Sequence, residues 1–371
     1  MRFNNNPYKK YNLYEFATRV TRKNKDNVSN LPLTISAQYG LVDQVSFFNK
    51  TVASKDMSGY YLLKNGEFAY NKSYSNDYPW GAIKRLDLYN MGCLSTLYIC
   101  FKSNDNIVNS NYLVHYFESP KWHKQVADIA GEGARNHGLL NIAVNDFFNT
   151  KHAVPTIENQ IKIARFLDLI EERIQTQIKI INDYKLLKKY ITKSFIKQKG
   201  TSYLLSEIAE LGRGRVISSA EISKQKNPIY PVYSSQTSNN GVMGYLDNYD
   251  YEGEYITWTT DGANAGTVYY RNGKFNCTNV CGILKIKNGY DAYYISNILN
   301  CYTKKYVSTN LANPKLMNNV MANIKINLPS IERQKYFSNI LKAIEYRVKI
   351  EQDIKLNLVK QKVFLLKNMF L

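Results

Sequence analysis

Two short stretches of this sequence repeat one another and decide its fold. Val154-Pro155-Thr156-Ile157-Glu158-Asn159-Gln160 returns as Leu328-Pro329-Ser330-Ile331-Glu332-Arg333-Gln334. Each stretch opens a long segment that has the residue pattern of a helix. A second pair of similar stretches comes earlier in the chain, Leu13–Ala17 and Leu205–Ala209. We therefore predict a tandem of two units, each a globular part followed by a long helix.

The segment 160–198 has apolar residues at steps of three and four, which is the pattern of an amphipathic helix. At 1.5 Å per residue such a helix spans roughly 55–60 Å. The segment after 334 repeats the pattern, with an interruption at Glu351 and Gln352. The predicted apolar stripes consist of Ile163, Leu167, Ile170, Ile174, Ile178, Ile181, Tyr184, Leu187, Ile191 and Phe195 in the first helix and of Phe337, Leu341, Ile344, Val348, Ile354, Leu358, Leu365 and Met369 in the second.

A narrow apolar stripe on a helix of this length has to be buried against a partner. We expect the two helices to pack on each other as an antiparallel coiled coil, and the alternative is that each packs on its own globular part. The fold class is α/β (α+β), with two mixed domains joined by two long helices in a pseudo-two-fold tandem repeat. The predicted boundaries are 1–154 and 201–328 for the two domains, and 155–200 and 329–371 for the helices.

Both globular parts have short runs of Tyr, Thr, Ile and Val that are broken by Gly, Asn and Pro, as in strands joined by turns. In the second unit, Glu254–Trp258 and Thr267–Tyr270 resemble strands on either side of a loop, Asp261–Gly266. The step Asn240-Gly241 indicates a turn. Outside the repeated stretches the two units share little sequence, so one scaffold is expected to carry two different sets of loops.

The composition favours a polyanionic partner. Lys and Arg total 49 against 30 Asp and Glu, which gives a formal net charge of +19 in 371 residues. The excess is spread over both globular parts and both helices, so a long polyanion that touches several surfaces is expected. Nucleic acid fits this requirement.

The five cysteines are odd in number and irregular in spacing, which favours a cytoplasmic protein with reduced thiols. Cys277-x-x-x-Cys281 could be half of a zinc site, but no second pair of ligands lies at a suitable spacing, so buried inert thiols are the preferred interpretation. The longest apolar run, Met91–Phe101, is too short to cross a bilayer. We therefore expect no metal and no membrane partner.

Signals for catalysis are weak. An adenine methyltransferase would need a glycine-rich cofactor loop and an Asn/Asp-Pro-Pro-aromatic motif, and neither is evident. Gly131-Glu132-Gly133 and Gly212-Arg213-Gly214 are isolated Gly-x-Gly steps, which occur more often in turns. The four histidines have no metal-binding spacing. The sequence thus predicts a chain with no catalytic residues, while an enzyme with an unrecognised motif and a coiled-coil adaptor with no DNA role stay open as alternatives.

Base reading needs hydrogen-bonding side chains on loops that reach a groove, and phosphate contacts need Lys, Arg and backbone amides. For each candidate the alternative is an ordinary turn or surface residue. The candidates in the first unit are Lys72, Ser73, Tyr74, Lys84, Arg85, Arg135, Asn136 and His137. The candidates in the second unit are Ser234, Ser235, Gln236, Asn239, Asn240, Asn264, Arg271 and Lys315.

The Pro-x-Ile-Glu-x-Gln openings, each starting a long helix after a variable domain, resemble the specificity subunits of type I restriction-modification systems. The residues around Tyr39-Gly40-Leu41, Gly66–Ser73, Asn240–Tyr245 and Gly262–Gly266 are similar to that family's target-recognition domains. The resemblance extends over nearly the whole chain.

This resemblance implies a DNA-recognition subunit with no catalytic activity of its own. Each recognition domain would bind one half of a bipartite double-stranded DNA target, and the helices would set the unread spacer. DNA adenine methyltransferase subunits would dock on the helices, and restriction and translocase subunits would complete the complex. The chain would bind no cofactor, because S-adenosylmethionine and ATP with Mg²⁺ are expected on the partner subunits.

Overall fold

The structure of the protein is a computed structural model that describes residues 8–36, 39–50, 52–75, 78–130, 138–308 and 313–370. The chain divides into two compact units. Unit 1 consists of Met1–Gln177 and Ile354–Leu371, and unit 2 consists of Ile178–Asp353. The division falls within both long helices, so each unit contains one globular part and one end of each helix. The boundaries at 154, 200 and 328 stay a prediction.

The globular part of unit 1 consists of short strands and short helices. Its elements are β1 (Lys9–Asn12), α1 (Leu13–Phe16), β2 (Ala17–Arg19), β3 (Leu33–Ser36), β4 (Gly40–Asp43), α2 (Gln44–Phe48), β5 (Tyr61–Lys64), β6 (Phe68–Asn71), β7 (Ala82–Arg85), β8 (Met91–Leu94), β9 (Ile99–Ser103), α3 (Ser110–Glu118), α4 (His123–Ile129), α5 (Val144–Phe148) and β10 (Lys151–Val154). An antiparallel sheet has the order β2-β9-β6-β7, and the pairs β1-β10, β3-β4 and β5-β8 are also antiparallel.

The long helix α6 (Ile157–Ile196) follows, and the globular part of unit 2 comes after it. The elements of this second part are β11 (Thr201–Leu204), α7 (Leu205–Ile208), β12 (Ala209–Arg213), α8 (Ser219–Ser223), β13 (Tyr230–Tyr233), β14 (Val242–Leu246), β15 (Tyr251–Thr259), β16 (Val268–Cys277), β17 (Cys281–Ile286), α9 (Ala292–Tyr302), α10 (Asn318–Ala322) and β18 (Lys325–Leu328), followed by α11 (Ile331–Asn368). Its main sheet has the order β12-β17-β15-β16-β13-β14, in which β13 and β16 are parallel, and β11 pairs with β18.

The earlier repeated stretches form the same local structure in both units. In unit 1 the Glu15 carboxylate accepts a hydrogen bond from the backbone N–H of Asn12 at 2.6 Å. In unit 2 the Glu207 carboxylate accepts one from the N–H of Leu204 at 2.7 Å. Each glutamate satisfies a backbone donor at the start of a short helix that follows the first strand of its unit. The sequence similarity at these positions therefore reflects a common structural role.

The glutamine that ends each long repeat joins the long helix to its globular part. Gln160 is 0% exposed, and its Oε1 accepts from the backbone N–H of Asn109 at 2.7 Å. Its Nε2 donates to the carbonyl oxygens of Pro155 at 2.8 Å and Ile107 at 3.1 Å. Because Asn109 is the N-cap residue of α3, this side chain fixes the start of α6 against the start of α3.

Unit 2 contains the same joint. Gln334 is 2% exposed, and its Oε1 accepts from the N–H of Asp291 at 3.0 Å while its Nε2 donates to the carbonyl oxygen of Pro329 at 2.8 Å. Asp291 is the N-cap residue of α9. We call these two arrangements the glutamine joints. They make α3 and α9 the corresponding helices of the two units, and they explain why the motif ends in Gln.

The two long helices pair in antiparallel fashion within unit 2. Phe195 stacks on Phe337 with ring centroids 3.7 Å apart, and Lys188 forms an ion pair with Glu345. Because the residue number falls along α11 as it rises along α6, the two segments run in opposite directions. The same helices pack on the globular part, since Phe337 also stacks on Tyr294 of α9. Both of the packing arrangements considered from the sequence therefore occur together.

Unit 1 has the same arrangement at its end of the helices. Ile163 and Leu167 of α6 share one apolar core with Met369 and Phe370 near the end of α11. Lys362 donates to Glu171 at 2.6 Å, and Phe370 packs against Tyr112 of α3 with ring centroids 5.4 Å apart. The prediction of an antiparallel helix pair is confirmed in each unit.

Most predicted stripe residues are buried. Ile163, Leu167, Ile170, Ile174, Ile181, Leu341, Ile344 and Leu358 are buried, and Ile178 and Val348 are half-buried. Leu187 and Ile354 were assigned to the stripes wrongly, because both are exposed, at 45% and 39%. The buried positions follow steps of four and three in alternation, a period near 3.5, so Lys188 and not Leu187 occupies the packed side.

The predicted interruption at Glu351 is not a break in α11. Glu351 is 3% exposed and lies on the packed side of a continuous helix. The Arg347 guanidinium, one helical turn earlier, donates to its carboxylate at 2.6 Å. A buried carboxylate is tolerated here because a charged partner compensates for the lost hydration.

Candidate nucleic-acid interface

Three loops of unit 2 meet in one polar surface, which we call the polar loop surface. It consists of residues 234–241, 260–267 and 313–318. The first loop is closed by a hydrogen bond from the N–H of Ser234 to the carbonyl oxygen of Gly241 at 3.0 Å. The Asn264 side chain connects the first two loops by donating to the Thr237 hydroxyl at 3.2 Å. The structure thus brings together several residues that the sequence analysis selected separately.

The tip of the first loop has an unusual backbone conformation. Asn239, Asn240 and Gly241 have positive φ values of 47°, 53° and 84°, which Asn and Gly adopt more readily than other residues. The turn predicted at Asn240-Gly241 is therefore confirmed. The side chains of Asn239 and Asn240 are exposed. Their amides can both donate and accept hydrogen bonds, as reading a base edge requires.

The other side chains of this loop support its shape. Gln236 is half-buried, and its amide donates to the carbonyl oxygen of Val242. The Ser234 hydroxyl accepts from the N–H of Gln236 at 3.4 Å. Ser235 is half-buried beside them. Asn239 and Asn240 therefore have more surface available to a ligand than these three residues.

Arg271 is not the exposed residue that the sequence analysis expected. It lies on β16 and is 3% exposed, with its guanidinium over the ring of Tyr233 at 3.5 Å and that of Tyr269 at 4.4 Å. Its guanidinium donates to the carbonyl oxygen of Asn240 at 3.0 Å. This hydrogen bond supports the tip of the first loop from the protein interior. Burial lowers the pKa of the Arg271 guanidinium. We therefore correct its role from contacting DNA to supporting the loop that could do so.

The carboxylate of Asp261, in the second loop, lies between two cations, one on β12 and one in the third loop. Asp261 is 3.6 Å from the Arg213 guanidinium and 3.6 Å from the Lys315 ammonium. Lys315 is half-buried at this surface, and its contact with DNA stays a prediction. Arg213 was missed, because Gly212-Arg213-Gly214 suggested a turn whereas Arg213 is the last residue of β12. The +1 charge of this trio leaves the surface attractive to phosphate.

Two further lysines lie next to the polar loop surface and were also missed. The short helical turn Thr303–Tyr306 follows α9 and carries the exposed Lys304 and Lys305. The Thr303 hydroxyl donates to the carbonyl oxygen of Gly266 at 2.6 Å, which places this turn against the second loop. The pair Lys304-Lys305 was a possible signal in the sequence, but no motif distinguished it from other lysines.

In unit 1 the structure brings two distant segments together. The N–H of Leu140 donates to the carbonyl oxygen of Lys72 at 2.9 Å, and the N–H of Tyr74 donates to that of Gly138 at 3.1 Å. Ser73 forms a β-bridge with Leu139, and Ser73 and Tyr74 are exposed. The candidates Arg135, Asn136 and His137 belong to 131–137, outside the described residues. Their contact with DNA stays a prediction.

Lys84 and Arg85 are held by partners within unit 1. Lys84 forms an ion pair with Glu118, and its side chain is largely buried. Arg85 donates to Asp87 at 2.6 Å and to Asn111 at 2.7 Å. Both lie on β7 and not on a loop, so the expectation of a loop position is wrong, and their contact with DNA stays a prediction.

Cys277 and Cys281 are buried, as expected, and so are Cys93 and Cys100, whereas Cys301 is exposed. All five are free thiols. Among the described residues, no group of three or more His, Cys, Asp or Glu side chains is placed to hold a metal ion. In the same residues, no helix has the length and apolarity that crossing a membrane requires.

The fold and these surfaces define a class of protein with two globular parts that carry different polar loops. Each globular part is attached to a pair of long helices by a glutamine joint. Comparison with known proteins identifies that class. Residues 199–361 match the sequence model of the family described as the type I restriction modification DNA specificity domain. A Mycoplasma pneumoniae protein named as a type I specificity subunit, S.MpnORF201P, is 39% identical over 196 residues, which cover 52% of this chain and 81% of the relative.

Two solved structures have the same fold. The S subunit of a type I restriction-modification system from M. genitalium gives a TM-score of 0.60 at 15% identity, covering 100% of this chain and 98% of that one. A chain from a structure concerned with complex assembly and conformational transition of the type I R-M system gives 0.62 at 16% identity, covering 97% of each. The protein belongs to the family of type I restriction-modification specificity subunits. This family recognises DNA sequence and is not a family of enzymes, so the prediction drawn from the repeated motifs is confirmed.

Proposed function

We propose that each unit binds one half of a bipartite double-stranded DNA target and that the two halves differ in sequence. The observation that carries this proposal is the pair of glutamine joints, which hold two globular parts with different exposed loops on one common plan.

In unit 2 the base-reading residues are Asn239, Asn240 and Asn264, with Lys315 and Arg213 contacting phosphates. In unit 1 they are Ser73 and Tyr74, together with Arg135, Asn136 and His137. Lys72 contacts the phosphate backbone of the DNA.

The long helices fix the unread spacer and dock DNA adenine methyltransferase subunits, with restriction and translocase subunits joining the complex. The docking part of the proposal is supported by apolar side chains that the helix pair leaves exposed. In unit 1 these include Phe166 and Leu169 of α6 and Val363 and Phe364 of α11. S-adenosylmethionine and ATP with Mg²⁺ bind to those partners. The whole assembly works in the cytoplasm, where free thiols persist.

The test is a map of adenine methylation in cells that produce this chain together with its methyltransferase subunits. We expect one bipartite motif, with a fixed spacer, that disappears when the gene for this chain is deleted. A methylation pattern that is the same with and without the chain, in a complex shown to contain both subunits, would contradict the proposal.

The loop tip of unit 2 provides a sharper prediction. The double substitution Asn239→Gly with Asn240→Gly removes both amides, while glycine accepts the positive φ of each position. Because a bidentate base contact is worth about 1–3 kcal/mol of discrimination, specificity in one half of the motif should fall about 10- to 100-fold. The other half should be read as before. The matched control is Asn227→Gly with Asn288→Gly, two exposed asparagines of unit 2 outside the candidate loops. If the double variant and the wild type showed equal specificity, these two residues would be excluded as base-reading residues.

A further inference from the structure

Unit 1 contains a basic groove that none of the candidate residues lines. Its accessible volume is about 410 Å³, and four lysines line it, Lys10, Lys121, Lys124 and Lys151. Among the residues that the structure describes, no Asp or Glu lines it. Lys10, Lys124 and Lys151 are exposed and Lys121 is half-buried. We call this feature the lysine groove.

The elements around the lysine groove give it a defined shape. Lys10 and Lys151 lie on the two strands of the β1-β10 pair. Lys121 lies two residues before α4 and Lys124 lies in its first turn. The Gln125 side chain connects α4 to β10 by accepting from the N–H of Lys151 at 3.2 Å. The groove therefore lies between two elements that a hydrogen bond holds together.

The floor of the groove is neutral. The His152 ring forms hydrogen bonds with the Tyr116 hydroxyl through Nδ1 and with the Thr150 hydroxyl through Nε2, both at 2.8 Å. Burial lowers the pKa of His152 to about 4, so the ring is uncharged near pH 7. The charge of the groove thus comes from its lysines. None of the four lysines forms an ion pair with another described residue.

The order of elements along the chain connects the lysine groove to the candidate interface of the same unit. Lys121 and Lys124 follow α3, the helix held by the Gln160 joint. In unit 2 the corresponding helix α9 is followed by Lys304 and Lys305, whose turn contacts the polar loop surface through Thr303. Both units thus carry a pair of lysines after the corresponding helix. In unit 1, α4 leads into 131–137, and residues 138–140 pair with 72–74.

We propose that the lysine groove binds phosphates of the DNA backbone beside the half-site that unit 1 reads. This inference rests on the proposed function. Four lysines that line one groove, with no carboxylate among its described lining residues, suit a run of phosphates. Such contacts hold a protein on DNA without carrying sequence information. The groove therefore contributes affinity to the complex, and the loops contribute specificity.

The experiment measures DNA binding by the complex with methyltransferase subunits as a function of salt. The variant Lys121→Gln with Lys124→Gln should lower the slope of log K against log salt by about two, because each phosphate contact contributes about 0.9. Affinity should fall by the same factor for target and non-target DNA. The matched control, Lys50→Gln with Lys55→Gln, makes the same change in net charge at exposed positions of unit 1 outside the groove. It should leave the slope nearly unchanged.

Other outcomes would overturn the inference in distinguishable ways. An unchanged slope in the groove variant, with sequence-specific binding by wild type, would refute the groove and leave the proposed function intact. Equal effects of the two variants would indicate net charge alone. A groove variant that no longer assembles would indicate a protein contact. Wild-type complex that lacks sequence-specific binding would refute the proposed function and the groove together.

A second arm separates backbone phosphate from a free anion. Single neutral methylphosphonate linkages are moved along the half-site of unit 1, and at least one should weaken wild type but not the groove variant. Inorganic phosphate is titrated into the DNA-free complex by calorimetry. Phosphate binding that the groove variant loses, with no linkage that distinguishes the two proteins, would assign the groove to a free anion and overturn the inference.

Discussion

The substitution Glu172→Pro is expected to abolish DNA modification by the assembled complex. Glu172 is exposed on α6, so the change removes little packing. A proline inside a helix removes a backbone hydrogen bond and clashes with the preceding turn, at a cost of about 3 kcal/mol or more. The kink would fall between Ile170 and Ile174, two buried residues of the helix pair in unit 1. Helix content by circular dichroism and methylation of target DNA are the measurements.

The matched control for this prediction is Glu172→Ala. Alanine removes the same side chain but keeps the helix, so this variant should assemble and methylate DNA as wild type does. The contrast isolates backbone continuity from the loss of a carboxylate. A proline variant with normal helix content and normal methylation would show that an unbroken α6 is not required.

The substitution Gln334→Met is expected to destabilise the chain by about 2–5 kcal/mol. Methionine has a similar size and shape, but it leaves the N–H of Asp291 and the carbonyl oxygen of Pro329 without the partners they have in the Gln334 joint. An unsatisfied buried polar group costs about 1–3 kcal/mol. The free energy of unfolding, measured by urea titration of the full chain, tests the estimate.

Two variants complete this second experiment. Gln352→Met replaces an exposed glutamine on the same helix and should change the free energy of unfolding by less than about 0.5 kcal/mol. Gln160→Met should cost at least as much as Gln334→Met, since Gln160 satisfies three backbone groups. If Gln334→Met behaved like Gln352→Met, the joint would not be a source of stability.

The architecture could be predicted from the sequence because it depends on local and repeated signals. Long apolar periodicity identified both helices, and the repeated Pro-x-Ile-Glu-x-Gln stretch identified the two units. The assignments of Leu187 and Ile354 failed because a helix and a supercoiled pair differ slightly in period. Over a long stripe that difference moves the packed side by one residue. The sequence alone does not reveal that shift. It also does not reveal that an ion pair with Arg347 allows Glu351 to be buried on the packed side of α11.

The candidate interface could be predicted less well, because it depends on which distant loops meet. Asn239 and Asn240 carried a local turn signal and form the predicted turn. Arg271 and Arg213 look alike in sequence, yet one is enclosed by two tyrosines and the other reaches the surface. Burial of a charged residue follows from the packing of neighbouring strands, so residue type and local pattern do not determine it.

The glutamine joints have one more consequence. In each joint the glutamine hydrogen-bonds to main-chain atoms of its globular part, the N–H of Asn109 and the carbonyl of Ile107 in one unit and the N–H of Asp291 in the other. Main-chain groups are the same whatever side chains surround them. Side chains of the globular parts can therefore change during evolution without removing these hydrogen bonds, whereas the ring contacts of Phe337 with Tyr294 and of Phe370 with Tyr112 depend on side chains. The glutamine alone carries this part of the connection, so it can be inherited unchanged while the loops of the globular part vary.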